Sequence, residues 1–126
     1  MNKIIRLTLL LSGCAIIPAC SQSGVSGPIW VGTPTAVSGT GGTAMTAVLT
    51  WQASIDNSGT GITYSIFQGA TGSGTENLSN AVATTTALSV TLIGLTVPDT
   101  YWFVIHATDG NGHVAASPEF QVMETP

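Results

Sequence analysis

Two histidines, His106 and His113, and six carboxylates, Asp56, Glu76, Asp99, Asp109, Glu119 and Glu124, are the groups with acid–base chemistry to offer. An imidazole held by a carboxylate activates a serine in hydrolases, and Asp109 stands close in sequence to both histidines. No Gly-x-Ser-x-Gly turn accompanies them to present a nucleophile. His106 and His113 therefore read as surface groups. Glycoside hydrolysis needs two acids facing each other across a cleft, and the six acids here are scattered over separate turns. Asp109, Asn111 and His113 alternate as ligands in a calcium loop do. A glycine at the sixth position and an acid at the twelfth are missing, and Asp, Asn and Gly are also the ordinary residues of a tight turn. The expectation is no catalytic residue, no cofactor and no metal. Asn77-Leu78-Ser79 fits the glycosylation sequon and reads as a chance match.

The cysteines are different. There are two, Cys14 and Cys20, and both lie near the N-terminus. Lys3 and Arg6 precede a short apolar run over residues 7–19, the arrangement of an export signal. Gly13 and Pro18 interrupt that run, which argues against a buried helix. Leu11-Ser12-Gly13-Cys14 resembles a lipobox, and Ile17-Pro18-Ala19-Cys20-Ser21 is a second, less regular match. The chain thus resembles a bacterial lipoprotein precursor. The resemblance implies a signal peptide over residues 1–19 and lipidation of Cys20, with Cys14 as the alternative. Cleavage before Cys14 leaves a short apolar run after Arg6. Cleavage before Cys20 leaves a longer one, although Pro18 departs from the usual lipobox. A Cys14–Cys20 disulfide would require both to survive inside the signal. Residues 20–27 begin with the lipidated cysteine and continue as a Gly/Ser-rich tether, a flexible coil. The implied location is the bacterial cell envelope, held by a lipid anchor and in the outer membrane if the cell is Gram-negative; secretion is the alternative.

Charge narrows the partners. Of 126 residues, two are Lys or Arg and six are Asp or Glu, and from Leu7 onward there is neither Lys nor Arg. Displacing counterions from nucleic-acid phosphates takes several basic side chains, so no nucleic acid is expected. Charge-driven binding to anionic lipid fails for the same reason. With neither residue after the signal, the domain is expected to fold without side-chain salt bridges. Apolar residues make up 44% of the chain, enough for a core, but no apolar run reaches the roughly 18–20 residues that span a bilayer. The remainder is rich in Thr, Ser, Gly and Asn, which favours strands and turns over helices.

Period-2 alternation locates the strands. Met45, Ala47, Leu49 and Trp51 share one parity. Ile62, Tyr64 and Ile66 share another run, and Leu88, Val90 and Leu92 a third. Tyr101, Phe103, Ile105 and Ala107 alternate with Trp102, Val104 and His106. Asp109-Gly110-Asn111-Gly112 marks a hairpin, with Asn-Gly accepting positive φ. Pro118, inside the final run Val114 to Val122, signals an edge or a bulge. Short strands punctuated by turns indicate an all-β sandwich.

The order of these signals over residues 28–124 resembles a fibronectin type III domain, an immunoglobulin-like two-sheet sandwich. Leu49-Thr50-Trp51 is similar to the family's strand B, and Ile62-Thr63-Tyr64-Ser65-Ile66 to strand C. Leu92-Ile93-Gly94-Leu95 followed by Tyr101-Trp102-Phe103-Val104-Ile105-His106-Ala107 is similar to its loop into strand F. Pro98 falls one place later than usual. The resemblance implies structural roles for Trp51, Tyr64 and Leu95, and makes Tyr101 the corner tyrosine. If strands C and F pair, Phe67, Trp102, Val104 and His106 share one outer sheet face, a candidate interaction site for a protein or glycan. The expected function is a non-catalytic binding or structural module. The alternatives are a carbohydrate-binding accessory module using that aromatic face, and a secreted enzyme whose site no motif reveals.

Overall fold

The structure, a computed structural model, describes residues 26–39, 45–69, 74–96 and 99–124. Cys14, Cys20, residues 1–25 and Pro98 lie outside the described residues. Eight strands are found among those described: β1 (Thr35–Gly39), β2 (Met45–Thr50), β3 (Ile62–Gly69), β4 (Ala83–Thr85), β5 (Ser89–Leu95), β6 (Asp99–Asp109), β7 (Val114–Ala116) and β8 (Phe120–Glu124). They form two antiparallel sheets. One is ordered β1-β2-β5; the other is ordered β4-β3-β6-β7, with β8 also pairing with β6. The expected two-sheet, all-β sandwich is the observed architecture.

Strand β6 organises the larger sheet because its alternation is unbroken for eleven residues. Tyr101, Phe103, Ile105 and Ala107 all point inward and are buried. They meet Tyr64 and Ile66 of the same sheet, and Ala47, Leu49, Trp51, Leu92 and Leu95 from the other side. The two sheets are thus joined mainly by apolar contact, the dominant favourable term in folding. Tyr64 lies edge-on between Trp51 (5.4 Å) and Trp30 (6.1 Å), an arrangement aromatic rings prefer. Its hydroxyl accepts the Ser54 amide at 2.9 Å, so the one polar atom of a buried ring is satisfied. Tyr101 does the same at the other end of the sandwich: its hydroxyl accepts the Thr96 amide at 2.9 Å and bonds the Thr96 hydroxyl at 2.8 Å.

Two bulges shape the sheets. Leu92 and Leu95 are three apart yet both buried, which strict alternation forbids. Pairing resolves the conflict: Met45 pairs with Leu95 and Thr46 with Ile93, so Gly94 is the extra residue. Gly94 has φ +79°, accessible to glycine. The second bulge lies between β7 and β8. His106 pairs with Ala116 and Phe103 with Phe120, so the 116–120 side carries one residue more than the 103–106 side. Pro118 sits there, where its missing N–H breaks no ladder. Ser117 fills the gap, its Oγ accepting the Ile105 amide at 3.0 Å.

Strands β1 and β4 carry no readable signal. In β1 the one large apolar side chain, Val37, faces solvent at 63% exposure, so its alternation points the wrong way. Strand β4 has three residues, too few for any period.

Gly94→Ala would put a Cβ into a left-handed conformation that costs roughly 1–2 kcal/mol for an L residue. The site has open space around it, so the backbone alone is tested. Urea unfolding is expected to show a loss of about that size with an unchanged slope; an unchanged midpoint would mean that the bulge relaxes.

Candidate functional site

The 109–113 hairpin is built around one carboxylate. Asp109 ends β6, with its side chain fully buried. Its Oδ1 accepts the amides of Asn111 and His113, each at 2.9 Å, and its Oδ2 lies 3.0 Å from His113 Nδ1. The Gly112 amide donates to the Asp109 carbonyl at 3.1 Å, and Gly112 has φ +90°. The turn is therefore centred on Gly110-Asn111, with Gly112 as the left-handed residue after it, rather than on Asn111-Gly112 as expected. This three-residue loop closed by a positive-φ glycine is a common hairpin solution. The Asp109–His113 contact also corrects the expectation of a domain without side-chain ion pairs, since a protonated His113 supplies one.

A second acid orders the neighbouring loop. Asp56 Oδ1 accepts the Ser58 and Gly59 amides at 3.0 Å each and the Ser58 hydroxyl at 2.7 Å, while Oδ2 accepts the Gly61 amide at 2.7 Å. The two loops touch, with the Gly110 amide donating to Thr60 Oγ1 at 2.7 Å. Gly27 closes against His113, so that a Cβ there would lie 2.7 Å from the His113 Cβ. The segment entering the domain thus arrives at this end of the sandwich.

These contacts set the acidities. The Ser58 hydroxyl, helped by the Gly61, Ser58 and Gly59 amides, holds Asp56 below the usual carboxylate range. Burial pushes Asp109 up, but the bonds from the His113 side chain and from the His113 and Asn111 amides outweigh it, and the net shift is downward.

Catalysis needs more than an Asp–His pair. Among the described residues, neither histidine is hydrogen-bonded to a serine hydroxyl. Asp109 has both oxygens committed to the hairpin. No group of three or more His, Cys, Asp or Glu side chains with metal-binding spacing occurs among the described residues. Asn77 of the sequon uses its side-chain oxygen to accept the Ser79 amide at 3.0 Å.

The remaining candidate is the outer face of the larger sheet. Strands β3 and β6 pair, with Phe67 opposite Val104 and Gly69 opposite Trp102. Phe67, Trp102, Val104 and His106 do share that face, but it is not open. Phe67 is 8% exposed, and the other three are half-buried. The His106 ring packs on Phe67 at 4.8 Å. Chain from the β3–β4 connection also returns over the sheet: a Cβ on Gly69 would lie 2.7 Å from the Thr75 carbonyl carbon and 2.8 Å from the Glu76 amide nitrogen. The expectation of an exposed aromatic face is therefore corrected for Phe67. Trp51, Tyr64, Leu95 and Tyr101 lie in the core. The glycine-rich run around Gly69 was the one hint of that cover, since a residue without a Cβ admits a close backbone.

No family model matches the chain. It is 37% identical over 76 residues, 60% of its length, to Exoglucanase B of Cellulomonas fimi. It is 39% identical over 87 residues, 68% of its length, to Chitinase A1 of Niallia circulans. The alignments span 6% and 11% of those proteins, so the chain matches a small part of each. Among solved structures, it superposes on the sixth fibronectin type III domain of human fibronectin type III domain containing protein 3, with a TM-score of 0.64 and 22% identity. That match covers 84% of this chain and 93% of that one.

Because both aspartates are more acidic in the fold, their stabilisation is fully present above the ordinary aspartate pKa of 3.8 and is lost as pH falls through the lowered values. Asp109→Asn is expected to lower the urea midpoint at neutral pH and to flatten its fall on acidification. Parallel curves for variant and wild type would remove Asp109 from that acid limb.

Proposed function

We propose that this chain, which has the fibronectin type III fold, works as a non-catalytic module at a bacterial cell surface, holding or spacing a partner rather than reacting with it. The observation that carries this reading is the commitment of the Asp109–His113 pair to the hairpin, where the turn already takes up both Asp109 oxygens. The comparisons support it: a stretch corresponding to 6% of an exoglucanase and 11% of a chitinase suits a module carried beside catalysis.

The module is held at the envelope by lipidation of Cys20, with Cys14 as the alternative acceptor and secretion as the alternative location. Residues 1–19 are the signal and residues 20–27 the tether. Gly27 lies seven positions after Cys20, a stretch that spans at most about 25 Å when extended. Gly27 meets the His113 hairpin, so a tether of this length holds that end of the sandwich toward the membrane and leaves the strand faces lateral. Metabolic palmitate labelling tests this. Cys20→Ser is expected to abolish incorporation and Cys14→Ser to leave it; an unlabelled wild type removes the lipid anchor.

A second reading is favoured by the names of the two relatives. A neutral polysaccharide would contact the outer face of the larger sheet through Trp102, a half-buried ring of that face. Co-sedimentation with insoluble cellulose and chitin is expected to retain the protein and to lose it in Trp102→Ala with an unchanged circular dichroism spectrum. No retention of wild type on either polymer sinks the glycan reading and leaves the spacer.

A further inference from the structure

The tip of the 109–113 hairpin carries a reaction of its own. An asparagine side chain is electrophilic at Cγ, and the backbone nitrogen of the next residue can reach that carbon to close a cyclic imide. A side chain on the next residue hinders the approach; a glycine, which has no Cβ, does not. Asn111-Gly112 is such a pair, and both residues are exposed. The other asparagines among the described residues are less suited. Asn57, Asn77 and Asn80 precede Ser58, Leu78 and Ala81. Asn57 also gives its side-chain N–H to the Gly27 carbonyl at 3.1 Å, and Asn77 accepts the Ser79 amide.

We propose that Asn111-Gly112 is a self-modification site, gated by the Asp109 hairpin, at which the asparagine converts to aspartate and isoaspartate. Hydroxide removes the Gly112 N–H proton. The nitrogen then bonds to Asn111 Cγ, and the bond from Cγ to the side-chain nitrogen breaks. That nitrogen takes a proton from water and leaves as ammonia, which returns the hydroxide. Water next adds to the imide. Opening at Cγ leaves aspartate, and opening at the Asn111 main-chain carbonyl leaves a β-linked isoaspartate. Solvent water is the co-reactant, and nothing is oxidised or reduced.

The fold sets the rate. The Gly112 N–H donates to the Asp109 carbonyl at 3.1 Å, and the Asn111 amide donates to Asp109 Oδ1 at 2.9 Å. The proton to be removed is therefore bonded and the chain before it is pinned, so ring closure waits for the hairpin to open. Asp109-Gly110 does not follow the same course. The Asp109 carboxylate is buried, more acidic than usual and bonded at both oxygens, and an anion is a poor electrophile. The Gly110 N–H is held by Thr60 Oγ1 at 2.7 Å. Conversion adds a carboxylate beside Asp109 in a chain without Lys or Arg after Arg6. The β-linked product also lengthens the main chain between 109 and 113, so the amides of 111 and 113 no longer converge on one Asp109 oxygen. Gly27 packs on His113, and the change loosens the point where the entering segment meets the domain.

Peptide mapping of the full chain by mass spectrometry reads the conversion as the replacement of NH2 by OH at position 111, and chromatography separates the two products. Base-catalysed amide exchange removes the same Gly112 proton from the same open state. Conversion in the native chain is therefore expected to be slower than in urea by the protection factor that NMR gives for Gly112 at the same pH. Asn111→Gln, which must close a larger ring, is expected to lose the conversion while His113 keeps its amide protection. Equal rates in native and unfolded chain, with Gly112 protected in the native one, overturn the gate. Conversion at Asn57, Asn77 or Asn80 as fast as at Asn111 in the unfolded chain overturns the site.

Discussion

Among the described residues the carboxylates take their hydrogen bonds without a lysine or an arginine, and much of the loop structure follows from that. Asp56 gathers three amides and a hydroxyl, and Asp109 two amides and an imidazole. Asp99 takes the Thr100 amide, and Glu124, fully buried, takes the Ser38 hydroxyl at 2.6 Å. Glu119 takes the Gly74 amide. Burying a charge is costly unless it is hydrogen-bonded, so in a chain without cations the backbone supplies the donors. The carboxylates become the points about which turns are wound. Asp56 and Asp109 fix adjacent loops at one end, and Glu119 holds Gly74 of the β3–β4 connection.

The core beneath these loops is conventional in its physics. Tyr101, Phe103 and Ile105 on β6 meet Leu49, Leu92 and Leu95 on the facing sheet, and the buried tyrosine hydroxyls are used to pin chain that belongs to no strand. Tyr64 fixes the Ser54 region and Tyr101 fixes the Thr96 region. Each bulge serves an end as well: Gly94 brings Leu95 back to the core, and the 116–120 bulge carries Glu119, which takes the Gly74 amide.

The legible strands were those with one buried face and enough length. Four alternate inward residues on β6 and the Ala47-Leu49-Trp51 run along β2 and just past its end left little choice of register. The 109–113 turn was legible because Asp, Asn and Gly cluster there, although its centre lies one residue earlier than Asn-Gly suggested. Strand β1 was not legible: Val37 faces solvent, and Thr35, Ser38 and Gly39 carry no apolar signal. Its place is set by β2, whose ladder partners it satisfies. The Asp109–His113 pair was within reach of spacing alone, but its use depends on the turn type that brings position 113 back to position 109.

Sequence alone determined the strand periods, the lack of cations after Arg6 and the neutrality of much of the surface, because these are properties of residue type and near neighbours. Which face stays open was decided only in three dimensions. Phe67 has outward parity and would be exposed on an isolated sheet. It is buried because His106 packs on it from the neighbouring strand and chain from residues 74–77 returns across the same face. That return joins Gly69 to Thr75 and Gly74 to Glu119, contacts between segments that no local period connects. Alternation assigns a side chain to a face; long-range packing decides whether water reaches it.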